Sequence, residues 1–302
     1  RVLDLMFSDD CYLETEGVVR EYQPDVIGLS IRNLDNQSIF NPESNLPMVK
    51  QLVTIIRKSS SAKIILGGPA FSILPSECLN YVGADIGVRG DADANFSQLL
   101  EKIGDGENYL DLPGLVYWTN GKVEMNESGN PSYYEMLPRL DLLDMRKYSG
   151  SGFGIGVVTK LADAYYPQIS MSGTTHASQW RVRDTKDIIR DIKRLQADFK
   201  IRNMFFIDTA FNKPIEVAKE ICTAVVTESI DIRWNSYLRP GDFDQELANL
   251  MKDSGCSLAL LSDAGGESQN LEEKLISMER IVDLCRLESL PCAVTMDFGG
   301  PD

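Results

Sequence analysis

Three groups of residues in this chain combine side-chain type and spacing in ways that could do chemistry. The first follows early apolar runs: Ser30, Arg32 and Asn33 after VIGLS, Gly67-Gly68-Pro69 after KIIL, and Gly90-Asp91 after IGVR. Glycine there lets the backbone approach a large ligand, because no Cβ stands in the way. The second follows later apolar runs: Asp208 closes MFFID, Ser236 and Arg239 flank SYLR, and Ser262-Asp263 close ALLSD. A carboxylate at such a position suits hydroxyl or ammonium groups. The third is LADAYYPQISMSGTTHASQW, residues 161–180, with Asp163, the Tyr165-Tyr166 pair, Gly173 and the single histidine, His176. An imidazole with an unperturbed pKa near ~6.5 suits general acid–base work. Phenol rings attract cations over their faces.

Composition narrows the partners. Lys and Arg total 30 against 45 Asp and Glu, a net charge of −15. So acidic a chain gains little from phosphate backbones, which argues against nucleic acid and leaves a small molecule as the expected partner. No apolar run reaches the ~18 residues of a membrane span. The first residues show no signal-peptide pattern. The six cysteines, at 11, 78, 222, 256, 285 and 292, have no CxxC or CxxxC spacing. They read as buried thiols of a cytoplasmic protein. One histidine excludes a three-histidine metal site, and no metal-ligand set is read from the chain.

The elements that must carry these residues alternate. Arg1–Met6, Val26–Ser30, Lys63–Leu66 and Ile86–Arg89 read as strands, with helices over Glu14–Glu21, Pro47–Arg57, Ser76–Tyr81 and Asn95–Ile103. Leu115–Trp118 and Lys122–Met125 flank Asn120-Gly121 and read as a hairpin. After Leu137–Tyr148, the alternation resumes with strands at Ile155–Thr159, Met204–Asp208, Ile232–Tyr237, Ser257–Ser262 and Cys292–Phe298. The helices between them are Thr185–Asp198, capped by Asp184 or Thr185, then Pro214–Thr227, Phe243–Ser254 and Leu271–Leu287. Strands alternating with helices predict an α/β protein with parallel sheets, whose ligands bind beyond the strands' carboxyl ends. The expected organisation is a Rossmann-like domain over 1–105, a connector with a hairpin over 106–150, and a partial (β/α) TIM-like barrel over 151–302. The chain begins inside a strand and stops directly after one, as a fragment would, and the barrel is expected to be truncated at its C-terminal end.

The succession DLMF, VIGLSIRNLDNQ and IILGGPAFSILPSECLNYVGADIGVRGDADANFSQLL resembles the cobalamin-binding domain of cobalamin-dependent radical S-adenosylmethionine (SAM) enzymes. LPRLDLLDMRKY, RNMFFIDTAFNKPIEVAKEIC, DIRWNSYLRPGDFDQELANLMKDSGC and the closing FGGP fit the same family. The resemblance implies that Ser30, Arg32, Asn33, Gly67, Gly68, Pro69, Gly90 and Asp91 hold cobalamin. It likewise implies that Gly173, Asp208, Ser236, Arg239, Ser262 and Asp263 hold SAM. No DxHxxG motif is present, so the first domain offers no axial histidine.

One departure stands out. The family holds a [4Fe–4S] cluster with a CxxxCxxC loop after the first barrel strand, since such clusters take thiolate ligands. The matching positions here are Asp163, Pro167 and Ser170. Proline has no ligating side-chain atom, so the cluster is not expected. Without it, the radical cleavage of SAM has no internal electron donor. The remaining chemistry is polar: methyl transfer from the sulfonium, or elimination or cyclisation of SAM, with Asp163, Tyr165 and His176 as candidate catalytic residues. The alternatives are a non-catalytic cobalamin-binding partner of an intact radical SAM enzyme, and a radical methyltransferase whose cluster is built from distant cysteines.

Overall fold

The computed structural model describes residues 1–36, 38, 40–90, 93–127, 139–148, 154–161, 181–208, 210–262 and 271–296. They divide into two compact units, the first ending by 127 and the second starting by 139.

The first unit opens with a 3-10 turn at Leu5–Phe7, capped by the Asp4 side chain. The strand expected at Arg1–Met6 is therefore absent: Asp4 accepts from the Met6 amide and turns the chain, and the short apolar run finds no sheet neighbour. The elements that follow are α1 (Cys11–Tyr22), β1 (Val26–Ser30), α2 (Leu46–Ser59), β2 (Lys63–Gly67), α3 (Pro69–Ile73), α4 (Pro75–Val82), β3 (Ile86–Val88), α5 (Asp93–Asp105), β4 (Leu115–Thr119) and β5 (Lys122–Met125). The sheet order is β1-β2-β3-β4-β5, parallel through β3 and antiparallel after it. Alternation along β2 explains the layers. Ile64 and Leu66 pack with Val49, Val53, Ile56, Phe71 and Leu79 on one face. Ile65 packs with Ile86, Val88, Leu99 and Leu115 on the other. The hairpin turns at Asn120 and Gly121, both at positive φ (51° and 76°), the turn whose twist matches its strands. Its first strand pairs with β3, so this part of the 106–150 stretch completes the first sheet.

Residues 139–148 of that stretch belong to the second unit. Leu140, Leu143 and Met145, the last in α6 (Met145–Tyr148), join the core of the second unit. There β6 (Ile155–Val157) precedes a two-residue strand, β7 (Lys160–Leu161), which pairs antiparallel with β8 (Arg181–Val182). Four strand–helix repeats supply α7 (Thr185–Phe199), β9 (Asn203–Phe206), α8 (Ile215–Thr227), β10 (Arg233–Leu238), α9 (Gln245–Asp253), β11 (Cys256–Ser262), α10 (Leu271–Leu287) and β12 (Cys292–Thr295). The main sheet runs β12-β11-β10-β9-β6, all parallel and in chain order. Residues from all four long helices share one core with Met204, Phe206, Trp234, Leu238, Ala259 and Leu261. Helices on a single face of a sequentially ordered parallel sheet make a partial barrel, as the alternation predicts.

Local chemistry fixes the helix starts. Asp184 accepts from the Lys186 amide at 2.8 Å, so it, and not Thr185, caps α7. Asp244 caps α9 by accepting from Leu247, and Lys219 of α8 reaches Asp244 and Glu246. Ile188, Ile189, Ile192 and Leu195 form the buried stripe of α7. Among the described residues no helix is long and apolar enough to cross a membrane.

Candidate cofactor sites at the strand ends

In the first unit, the carboxyl ends of β1, β2 and β3 are tied together by short hydrogen bonds. The Ile31 amide donates to Gly67 O at 2.8 Å, and the Ala70 amide donates to Ile31 O at 3.0 Å. Ser72 Oγ donates to Gly68 O at 3.0 Å and accepts from the Gly90 amide at 2.9 Å, linking the second strand end to the third. Gly68 has φ of 96°, and a Cβ there would stand 2.6 Å from Ile31 O and 2.8 Å from Ser30 Oγ. Only glycine fits that position without moving backbone.

Around this knot Ser30, Arg32, Asn33 and Pro69 are exposed, and Gly67, Gly68 and Gly90 are half-buried. Ile73 and Leu74 lie exposed just after them, an apolar rim beside the polar groups. The Arg89 Nε atom is buried without a partner among the described residues. An orphaned buried donor calls for an acceptor. An open glycine-lined strand end with exposed polar groups, an apolar rim and a spare donor fits a large flat ligand that carries a polar tail. Sequence reasoning missed Ser72 and Arg89. Arg89 carried a signal, since it stands between a strand and Gly90. Asp91 lies outside the described residues.

In the second unit, the strand ends are closed by buried charge. Asp208 Oδ1 accepts from the Thr159 and Lys160 amides at 3.2 and 3.3 Å. Its Oδ2 accepts from the Thr159 hydroxyl and lies 3.8 Å from Lys160 Nζ. Lys160 Nζ donates to three carbonyls, Ala210 at 2.7 Å, Phe211 at 3.0 Å and Lys213 at 2.7 Å. Both side chains are 2% exposed. Burial pushes the Asp208 carboxyl up, against the opposing pull of Lys160 and Thr159. Beside them Arg183 Nη1 donates to Val158 O at 2.8 Å and Nη2 pairs with buried Asp191.

Further along the sheet, Arg239 Nη1 donates to Ser262 Oγ at 3.0 Å and reaches Ser262 O at 3.3 Å. Asn212 fixes the Arg239 backbone, accepting from its amide at 3.0 Å and donating to its carbonyl at 2.9 Å. Asp208, Arg239 and Ser262 therefore sit at the ends of β9, β10 and β11, where the sequence places them. Ser236 does not join them. It pairs in register with Phe206, on the face the helices cover, and its hydroxyl donates to Phe206 O at 2.7 Å. The opposite face carries Phe205 and Tyr237, whose rings meet edge to face at 5.5 Å. Tyr237 and Ile207 remain exposed there. Thr159, Lys160 and Arg183 were not read from the sequence. Asp163, Tyr165, Gly173, His176 and Asp263 lie outside the described residues, as do Pro167 and Ser170.

The six cysteines are all described, and all are free. Cys78, Cys222, Cys256 and Cys285 are buried as expected, whereas Cys11 and Cys292 are only half-buried. Among the described residues no three His, Cys, Asp or Glu side chains are grouped to hold a metal ion.

Comparison with known proteins agrees with this geometry. Residues 1–100 match the B12 binding domain family. The chain is 23% identical to the uncharacterized methyltransferase PH0819 of Pyrococcus horikoshii, over 85% of this chain and 55% of that protein. It is 21% identical to tryptophan 2-C-methyltransferase of Streptomyces laurentii, over 99% of this chain and 62% of that enzyme. Among solved structures it superposes on the radical S-adenosylmethionine methyltransferase TsrM from Kitasatospora setae, determined with cobalamin and a [4Fe-4S] cluster bound. The TM-score is 0.80 at 22% identity, over 97% of this chain and 60% of that one. The chain thus spans only about three-fifths of the length of these relatives. Its first hundred residues match the B12 binding domain family, and the chain shares the fold of the cobalamin-dependent radical SAM enzymes.

Proposed function

We propose that this protein binds cobalamin on its first unit and SAM on its second, and that it uses SAM as a polar methyl donor. The observation that carries the reading is the joint one: a B12 binding domain joined to a partial barrel, with Asp163, Pro167 and Ser170 where a cluster would need three thiolates. That donor set does not fit a [4Fe–4S] cluster, and no step here passes through one.

The cobalamin cradle is assigned to Ser30, Arg32, Asn33, Gly67, Gly68, Pro69 and Gly90, and Asp91 is assigned to it from sequence. When bound, cobalamin supplies a cobalt centre able to accept and pass on a methyl group. The chain holds no histidine in this unit, so the domain contributes shape and hydrogen bonds and no imidazole.

In the second unit Arg239 and Ser262 offer a cationic and a hydroxyl group for the carboxylate and hydroxyls of SAM. Gly173 and Asp263 are assigned to the same ligand from sequence. The Phe205 and Tyr237 rings give the sulfonium an aromatic face, and cation–π attraction is strongest where water is excluded. Asp163, Tyr165 and His176 are assigned the acid–base work. A nucleophile attacks the methyl carbon, the carbon–sulfur bond breaks, and its electron pair leaves with the sulfur. The nucleophile's proton passes to the base, and S-adenosylhomocysteine is released. The substrate is proposed to be a small molecule, and tryptophan is the first to try, because a similar solved protein was captured with it.

The test is incubation of the full chain with methylcobalamin, methyl-labelled SAM and tryptophan, with and without reductant. S-adenosylhomocysteine formed without reductant is the expected product. Strict dependence on reductant, with 5′-deoxyadenosine as product, would overturn the reading.

One observation favours a second reading, that of a non-catalytic cobalamin-binding partner. The Asp208 carboxylate and the Ser236 hydroxyl are both spent on internal hydrogen bonds. Their presence is accounted for by the fold and does not require a ligand. A SAM-binding titration separates the two readings, since a pure partner protein would not bind SAM. The displaced-cluster reading gains nothing from the described cysteines, which are not grouped for a metal.

A further inference from the structure

Among the described residues the β7–β8 ladder pairs Lys160 with Val182 and Leu161 with Arg181. Each strand has a buried ion pair at its root. On the entering side Lys160 pairs with Asp208, and on the leaving side Arg183 pairs with Asp191, every one of these side chains at most 8% exposed. Both pairs are locked to backbone as well. Asp208 takes the Thr159 and Lys160 amides, Arg183 takes Val158 O, and the Arg183 amide donates to Thr159 O at 3.0 Å. Lys160 also gathers the three carbonyls of the turn after β9.

Buried ion pairs contribute little net stability compared with apolar packing, so two of them at the root of one ladder ask for another role. Specification of a unique geometry is the role such pairs can fill. The ladder leaves the same sheet at the carboxyl end of β6, with β9 between it and β10, and Lys160 holds the turn after β9, whose Asn212 fixes the Arg239 backbone at the proposed SAM site. We propose that Lys160 and Arg183 are positioning residues for that site. Their ion pairs clamp the ladder to the sheet, and the clamp sets SAM affinity without touching cobalamin. This inference rests on the SAM-binding reading above.

The test uses the full chain and three variants, Lys160→Met, Arg183→Lys and Thr159→Val. The last removes one hydroxyl from Asp208, leaves every charge in place, and serves if Lys160→Met does not fold. Two properties are read: dissociation constants for SAM and hydroxocobalamin, and hydrogen exchange at the amides of residues 159, 160 and 183. Lys160→Met is expected to weaken SAM binding by about tenfold or more, with cobalamin binding within about twofold of the parent. The three amides should exchange faster, because their acceptors are no longer held. Arg183→Lys keeps the charge but loses the fork to Val158 O and Asp191, and should show the same pattern more weakly. A SAM affinity unchanged while exchange rises would overturn the positioning role. Unchanged exchange in Lys160→Met and Thr159→Val would overturn the clamp itself. A parent that binds no SAM would overturn the site reading, and the exchange data would still decide whether the ion pairs hold the ladder.

Discussion

The two units present their strand ends in opposite ways. The first leaves its ends open, with glycines and exposed polar groups and, among the described residues, no ion pair buried as deeply as those of the second unit. The second fills its ends with buried charge, Lys160 against Asp208, Arg183 against Asp191, and Arg239 against Ser262. An open end admits a large ligand to the backbone, and there the critical feature is the absence of side chains. A charged end fixes geometry, and there the critical feature is the pairing of buried charges, Lys160 with Asp208 and Arg183 with Asp191. The same α/β layout thus leaves an open strand end in one place and a charge-braced one in the other.

Substitutions that remove a charge or add a methyl group should separate the two. The largest effect is expected from Asp208→Ala, which strands Lys160 in the core of the second unit. Breaking a buried pair costs about 3–5 kcal/mol. Chemical denaturation followed by tryptophan fluorescence should show it, since Trp234 lies in that core, while Trp118 of the first unit should report an unchanged transition. Loss of both transitions together would mean that the units do not unfold separately. Next comes Gly68→Val, which puts a β-branched residue at φ of 96° with backbone 2.6 Å away. Strain of about 1–3 kcal/mol and a loss of cobalamin affinity of about a hundredfold should follow, read from the bound-cobalamin absorbance. An affinity within a few-fold of the parent would show that the cradle lies elsewhere. Gly87→Ala sharpens the same point. Its Cβ would stand 2.1 Å from the buried Phe71 ring, in the short helix that begins at the cradle. Overpacking of about 1–3 kcal/mol is expected, with a smaller loss of cobalamin affinity than for Gly68→Val.

The smallest effect concerns the thiols. Cys285 donates a hydrogen bond to Cys292, which holds the Cys292 thiol below its usual range and pushes Cys285 up. Burial pushes Cys222 up to about 12. More thiolate forms at Cys292 than at Cys222 at any pH between those two pKa values. Alkylation at mildly alkaline pH should therefore mark Cys292 and half-buried Cys11 early, and Cys222 only after unfolding. Early labelling of Cys222 would contradict its burial between α8 and the sheet.

Much of the fold was legible because it is written in local patterns. The runs VIGLS, KIIL, MFFID and SLALLS are continuous apolar strands of parallel sheets, and Asp184 announces the helix it caps, whereas Asp244, read as part of its helix, caps it. Asn120-Gly121 announced its hairpin. Where local pattern misled, a side chain intervened: Asp4 turns what DLMF alone suggests is a strand. The site was legible only in part. Glycines at strand ends are visible in sequence, and so are Arg239 and Ser262. The pairing of Lys160 with Asp208 spans 48 residues and follows no period. Ser236 illustrates the other limit. Alternation says that neighbours along β10 face opposite ways, but only the packing of α7 to α10 decides which face is covered.

The central claim is that this chain keeps cobalamin and has given up the cluster. The most direct test is the cobalt and iron content per chain after anaerobic preparation with cobalamin supplied and iron–sulfur reconstitution attempted. The account predicts cobalt near one per chain and no stoichiometric iron, because Asp163, Pro167 and Ser170 offer no thiolate. Iron at about four per chain, with the absorption of a thiolate-bound cluster, would contradict it.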